Sequence, residues 1–131
     1  MSHPKQSDVT LEELNLLIWN HLVARDWHKK VKSRGLAISI ALEANELLEH
    51  YQWSEEAVGG KEEIAAELAD VLIYCFEFAQ KNNIDIAEAV RQKLEKAAKK
   101  YPAEQFKGQG SAGQHAAWLS AKKNYRKEET L

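Results

Sequence analysis

The chain has 131 residues, of which 44% are hydrophobic and 29% charged, with a formal net charge of −2. That size sets the expectation of one domain with a short tail, and the near-neutral charge argues against a nucleic-acid partner, which calls for a basic surplus. The longest apolar run, VLIYCF at 71–76, is too short to span a bilayer, and a single cysteine with no signal-like segment points to a reducing cytoplasm.

In chain order, residues 1–9 are polar and expected to be loose. Thr10 and Glu13 have capping-box spacing and open a first helix over 10–26. RDWHKKVKSRG (25–35) reads as a polar connector, and a second helix follows over 34–52. WSEEAVGGK (53–61) is a loop carrying adjacent Gly59 and Gly60. A third helix is predicted over 61–81, stopping in KNNID; Asp85 and Glu88 then repeat the capping-box spacing and start a fourth, which ends at Tyr101-Pro102. Prolines occur only at 4 and 102, and no period-2 alternation or Asn-Gly hairpin is present, so the predicted fold class is all-α. The tail, 108–131, regains helical character around 116–123, and Lys122, Lys123, Arg126 and Lys127 read as a solvated face.

The second and third helices share a pattern. At about 100° per residue, Leu36, Ile40, Leu47, Leu48 and Tyr51 gather on one face of the second, with Glu43 and Glu46 along its flank. On the third, Ile64, Leu68, Val71, Leu72, Cys75, Phe76 and Phe78 form the face, and Glu67 and Asp70 repeat the flank. Packed antiparallel, the helices bring four carboxylates together, at a cost in repulsion and desolvation that a cation relieves. An all-oxygen set suits a hard divalent ion, Mg²⁺ first and Mn²⁺ second, and Mg²⁺ so held typically takes further ligands from substrate phosphates.

Plainer readings stand beside this one. Glu-x-x-Glu is common on solvent-facing helices, and one pair alone carries little; two matching pairs on two core faces carry more. A carboxylate-bridged di-iron bundle needs Glu-x-x-His on two helices, and no Glu here has a His three residues later. His50 follows Glu46 by four and reads as a helix-edge polar residue, while Cys75 lies on the core face and reads as packing rather than a nucleophile.

RDWHKKVKSRGLAISIALEANELLEHYQW, then AAELADVLIYC, then KLEKAAKKYP resemble the MazG-like nucleoside triphosphate pyrophosphohydrolases, nearest their small all-α dCTP pyrophosphatase branch. The resemblance covers roughly 11–107. It implies a four-helix bundle with antiparallel core helices, a domain over 10–107, and a homodimer or homotetramer; Ile73, outside the core arc, fits burial against another subunit. It implies Mg²⁺-dependent hydrolysis of a nucleoside triphosphate between its α and β phosphates, giving a monophosphate and pyrophosphate. Glu43, Glu46, Glu67 and Asp70 match the metal motif, and Glu46 is taken as the general base as well as a ligand. Lys93 matches a phosphate-side lysine, Lys100 and Tyr101 the basic "YP" segment, and Trp27 and Trp53 positions that line a base pocket. Leu42 replaces a leading Glu, Ile18 stands where the branch has a base-contacting His, the connector keeps only Arg34, and Ala97 replaces an Asn near the phosphates. These departures bear on base choice rather than on the metal chemistry. The rival is a non-catalytic helical regulatory module that keeps the fold.

Overall fold

A computed structural model describes residues 7–129. Among them all regular structure is helical: α1 (Leu11–Val23), a 3-10 turn (Trp27–Lys29), α2 (Ser33–Glu49), α3 (Lys61–Lys81), α4 (Ile86–Lys100), α5 (Ala103–Phe106) and α6 (Ser111–Glu129). The all-α expectation holds, with six α-helices where the sequence suggested four and a short tail helix. The chain divides between Ile86 and Ala87 into two compact units. No described helix is long and apolar enough to cross a membrane.

In the first unit α1 opens on the capping box read from the sequence. The Glu13 N–H donates to the Thr10 hydroxyl at 3.1 Å, and the Thr10 N–H donates to the Glu13 carboxylate at 2.7 Å. These bonds also hold the Glu13 carboxyl below its ordinary range. The helix ends at Val23, earlier than predicted, because Asp26 turns into the left-handed region at φ 55°. The 3-10 turn that follows lays His28 edge-on to Trp19 at 5.3 Å and Trp27 edge-on to His21 at 5.9 Å.

Helices α2 and α3 form an antiparallel hairpin, fixed by contacts at its two ends. Ser33, first in α2, hydrogen-bonds Asn82 just past α3 at 3.1 Å. His50, just past α2, lies 3.6 Å from Glu67 in the early part of α3. Helix α3 stops on a left-handed Asn83 (φ 53°), with the Ile84 N–H donating to the Ala79 carbonyl at 2.8 Å and the Asn83 N–H to that of Gln80 at 3.4 Å. This pair of bonds is a Schellman ending, in which an asparagine tolerates the left-handed position.

The core sits where α1 crosses the C-terminal half of α3. Ile18 and Leu22 pack on Phe76, with Ile86 against them, and Leu36 of α2 is buried to 1% exposure. The Gln80 amide ties α3 to α1 by donating to the Asn15 carbonyl at 3.0 Å and side chain at 2.8 Å. The apolar faces read from periodicity are broader than this core: Leu48, Leu68 and Leu72 remain about half exposed. Conversely Glu77, on the acidic flank of α3, is buried at 8% exposure.

In the second unit α4 carries an ion-pair ladder in which Arg91 meets Glu88 and Glu95, each at 2.6 Å. Gly108, at φ 80°, makes the left-handed turn between α5 and α6. Lys100 lies over the Tyr125 ring at 4.5 Å, and Tyr101 packs edge-on to Phe106 at 5.8 Å. Ala121 is the buried residue of α6.

Candidate metal centre and adjoining cleft

Residues three apart on a helix project in nearly the same direction, so α2 presents Glu43 and Glu46 together and α3 presents Glu67 and Asp70 together. The antiparallel hairpin sets the pairs against each other. One carboxylate oxygen from each of the four lies within 4.8 Å of the others. Glu43 and Glu67 are half-buried, and Glu46 and Asp70 are open to solvent.

Crowding shows in the chemistry of Glu43. A hydrogen bond with the Glu46 carboxyl is the largest influence raising its pKa above the ordinary range; partial burial and the charges of Glu46, Asp70 and Glu67 add to it. Like charges this close disfavour the ionised form of Glu43. The same negative charge reaches Tyr74 on α3, whose hydroxyl is pushed up first by burial and then by Glu77, Glu43 and Asp70, against the opposing effect of a hydrogen bond with Ser39. Four convergent oxygens, two of them open to solvent, fit a hard divalent cation that keeps positions for water or phosphate. Sulfur and nitrogen ligands are absent from the quartet, which disfavours zinc.

Beside the quartet lies a cleft of about 420 Å³, in the size range of small-molecule sites. Asp70, Ile73, Tyr74 and Glu77 of α3 form one wall; His21, Trp27 and Lys30 form part of the other. A metal-motif carboxylate and Trp27 thus border the same space, and the 3-10 turn is what carries the indole there.

Arg34 is exposed in the first turn of α2, and Trp53 stands in the loop after α2 at 87% exposure. Lys93 and Lys100 lie on α4 and Tyr101 directly after it, all in the second unit. Ile18 is a core residue, packed with Leu22 and Phe76. Periodicity missed the surroundings of His50, which is half-buried between the loop and Glu67, and the cleft position of Glu77. The only sequence hint for the first was the Gly59-Gly60 pair, nine residues away.

A model of the MazG-like family matches residues 38–115. The chain belongs to that family. It is 33% identical over 107 residues to dCTP pyrophosphatase 1 of Rattus norvegicus, covering 76% of this chain and 63% of the relative. With dCTP pyrophosphatase 1 of Homo sapiens it shares 33% identity over 102 residues, 72% of this chain and 60% of that one. The chain therefore spans less than two thirds of the length of these relatives. A solved pyrophosphatase from Archaeoglobus fulgidus is 32% identical and superposes with a TM-score of 0.61, over 78% of this chain and 99% of the other.

Proposed function

We propose that the chain is a nucleoside triphosphate pyrophosphohydrolase, converting a (d)NTP to the (d)NMP and pyrophosphate with Mg²⁺, or Mn²⁺ in its place, and serving the cytoplasmic nucleotide pool. The supporting observation is the quartet of carboxylate oxygens within 4.8 Å of one another in a chain of the MazG-like family. The names of its relatives, dCTP pyrophosphatase and pyrophosphatase, point the same way. We assign the activity to residues 10–107, with 108–131 as a tail.

Glu43, Glu46, Glu67 and Asp70 hold the cation. Once bound, it neutralises the quartet and the triphosphate and acidifies water. Glu46, solvent-open and hydrogen-bonded to Glu43, accepts the proton of the attacking water. The water oxygen bonds to the α phosphorus as the bond to the α–β bridging oxygen breaks, and pyrophosphate departs. Trp27 supplies a π-face for the base in the cleft, and exposed Trp53 offers a second. Arg34 supplies positive charge to the phosphates; the family resemblance gives the same part to Lys93, Lys100 and Tyr101, which belong to the second unit. Because Ile18 is spent on the core, base choice rests on other groups lining the cleft. Half-exposed Leu17, Leu48, Leu68 and Leu72 support a homodimer or homotetramer in which another copy covers them.

A panel of canonical and modified (d)NTPs with Mg²⁺, dCTP first among them, tests the proposal by product. Stoichiometric monophosphate and pyrophosphate are expected. Orthophosphate with a diphosphate, or no turnover of any member, overturns it.

A further inference from the structure

His50 is the C-cap residue of α2, and its side chain is only 13% exposed. The loop after α2 folds back onto it at two points. The Val58 N–H donates to the His50 carbonyl at 2.9 Å, and the Gly59 N–H donates to His50 Nδ1 at 3.2 Å. With Nδ1 accepting, the ring proton sits on Nε2. That atom lies 3.6 Å from Glu67 Oε1. Gly59 leaves room for the ring: a Cβ there would meet His50 Cε1 at 2.6 Å and Nδ1 at 2.7 Å, and Glu63 Oε2 at 2.6 Å. One imidazole thus joins the loop backbone to a carboxylate of the quartet.

We propose that His50 is a positioning residue: the Gly59 N–H fixes its tautomer and ring plane, and its Nε2–H orients the Glu67 carboxylate for metal binding. Partners of this kind orient metal ligands and tune their affinity without touching the ion. The inference rests on the reading of the quartet as a metal site. It adds a residue outside the Glu-x-x-Glu and Glu-x-x-Asp motifs and explains why a glycine sits at 59. At 3.6 Å the Nε2–H acts on Glu67 by charge–dipole attraction rather than by a short hydrogen bond.

Two substitutions separate the two ends of the ring. His50→Asn keeps an acceptor near the position of Nδ1 for the Gly59 N–H but has nothing at the position of Nε2. His50→Gln places an N–H₂ near Nε2 and gives up the loop acceptor. The readout is Mn²⁺ binding to the metal-free full chain without nucleotide, followed by the loss of the free-ion electron paramagnetic resonance signal. Thermal unfolding of each variant reports its folding. His50→Asn is expected to weaken Mn²⁺ binding by about 10–100-fold, and His50→Gln to stay within about threefold of wild type, taking the donor toward Glu67 as the part that matters. Gly59→Ala, which crowds the ring without altering its chemistry, should weaken binding as His50→Asn does. Wild-type Mn²⁺ affinity in His50→Asn, or equal losses in the Asn and Gln variants, overturns the positioning role and leaves the quartet standing. A wild-type chain that binds no Mn²⁺ removes the quartet reading, and this inference with it.

Discussion

Glu77 offers a sharp test of the packing around the cleft. Its side chain is buried where α3 meets α1, and its Oε2 has no hydrogen-bond partner among the described residues. His28 Nδ1 and Gln80 Oε1, which border the same small space, are likewise without one. Burial pushes the Glu77 carboxyl above the ordinary carboxylate value of 4.5. A carboxyl with a raised folded-state pKa binds more protons folded than unfolded, so stability falls as pH climbs from 4.5 through the raised value. Glu77→Gln keeps the shape and removes the titration. A buried polar atom left unsatisfied costs about 1–3 kcal/mol, and more when charged. The Gln variant, which has no charge to bury, should therefore gain in stability and in Tm relative to wild type between pH 4.5 and pH 8. The assay is urea or thermal unfolding of the metal-free proteins at both pH values. The wild-type-minus-variant difference isolates Glu77 from the crowded Glu43, which titrates in both. A difference that is the same at pH 4.5 and pH 8 would mean that burial does not raise the Glu77 carboxyl.

Other outcomes follow from the same structure. Hydrolysis should vanish on exhaustive EDTA treatment and return with Mg²⁺ or Mn²⁺, measured as pyrophosphate release, because four carboxylates alone repel both one another and the triphosphate. Leu36→Ala, at the most deeply buried large side chain, should cost about 2–5 kcal/mol by urea unfolding. Thr10→Ala removes the hydroxyl that accepts from the Glu13 N–H, while the backbone N–H at position 10 can still reach the Glu13 carboxylate, and should cost about 1 kcal/mol by the same measurement, with metal binding untouched.

The quartet was legible because its geometry is local twice over. Each pair is set by helical spacing, and only one further fact, that α2 and α3 run antiparallel, brings the pairs together. The third helix has the span its sequence predicts, 61–81, since glycines precede it and an asparagine pair closes it. Tertiary matters were not readable. The left-handed Asp26 and the three-residue turn at Trp27 carry no periodicity, yet they put the indole on the cleft. Glu77 lies on the acidic flank of α3 by helical spacing, and nothing in that spacing shows that it is buried where α3 meets α1. His50 gains its role from a loop that returns nine residues later. Helix α6 runs Ser111–Glu129, well past the expected 116–123, because its polar residues and the three lysines and one arginine in its second half show no apolar stripe while still favouring helix.

Metal-assisted attack at the quartet with Glu46 as base is measured by steady-state pyrophosphate release from dCTP and the nucleotide panel in Mg²⁺. Glu46→Gln should fold, remain as stable as wild type in the metal-free state, and lose at least about 10²-fold in kcat, the lower end of general-base contributions. Glu49→Gln, one turn further along α2 and solvent-exposed, is the internal control and should turn over like wild type. A Glu46→Gln protein with wild-type kcat, or a Glu49→Gln protein equally inactive, would rule out Glu46 as the base.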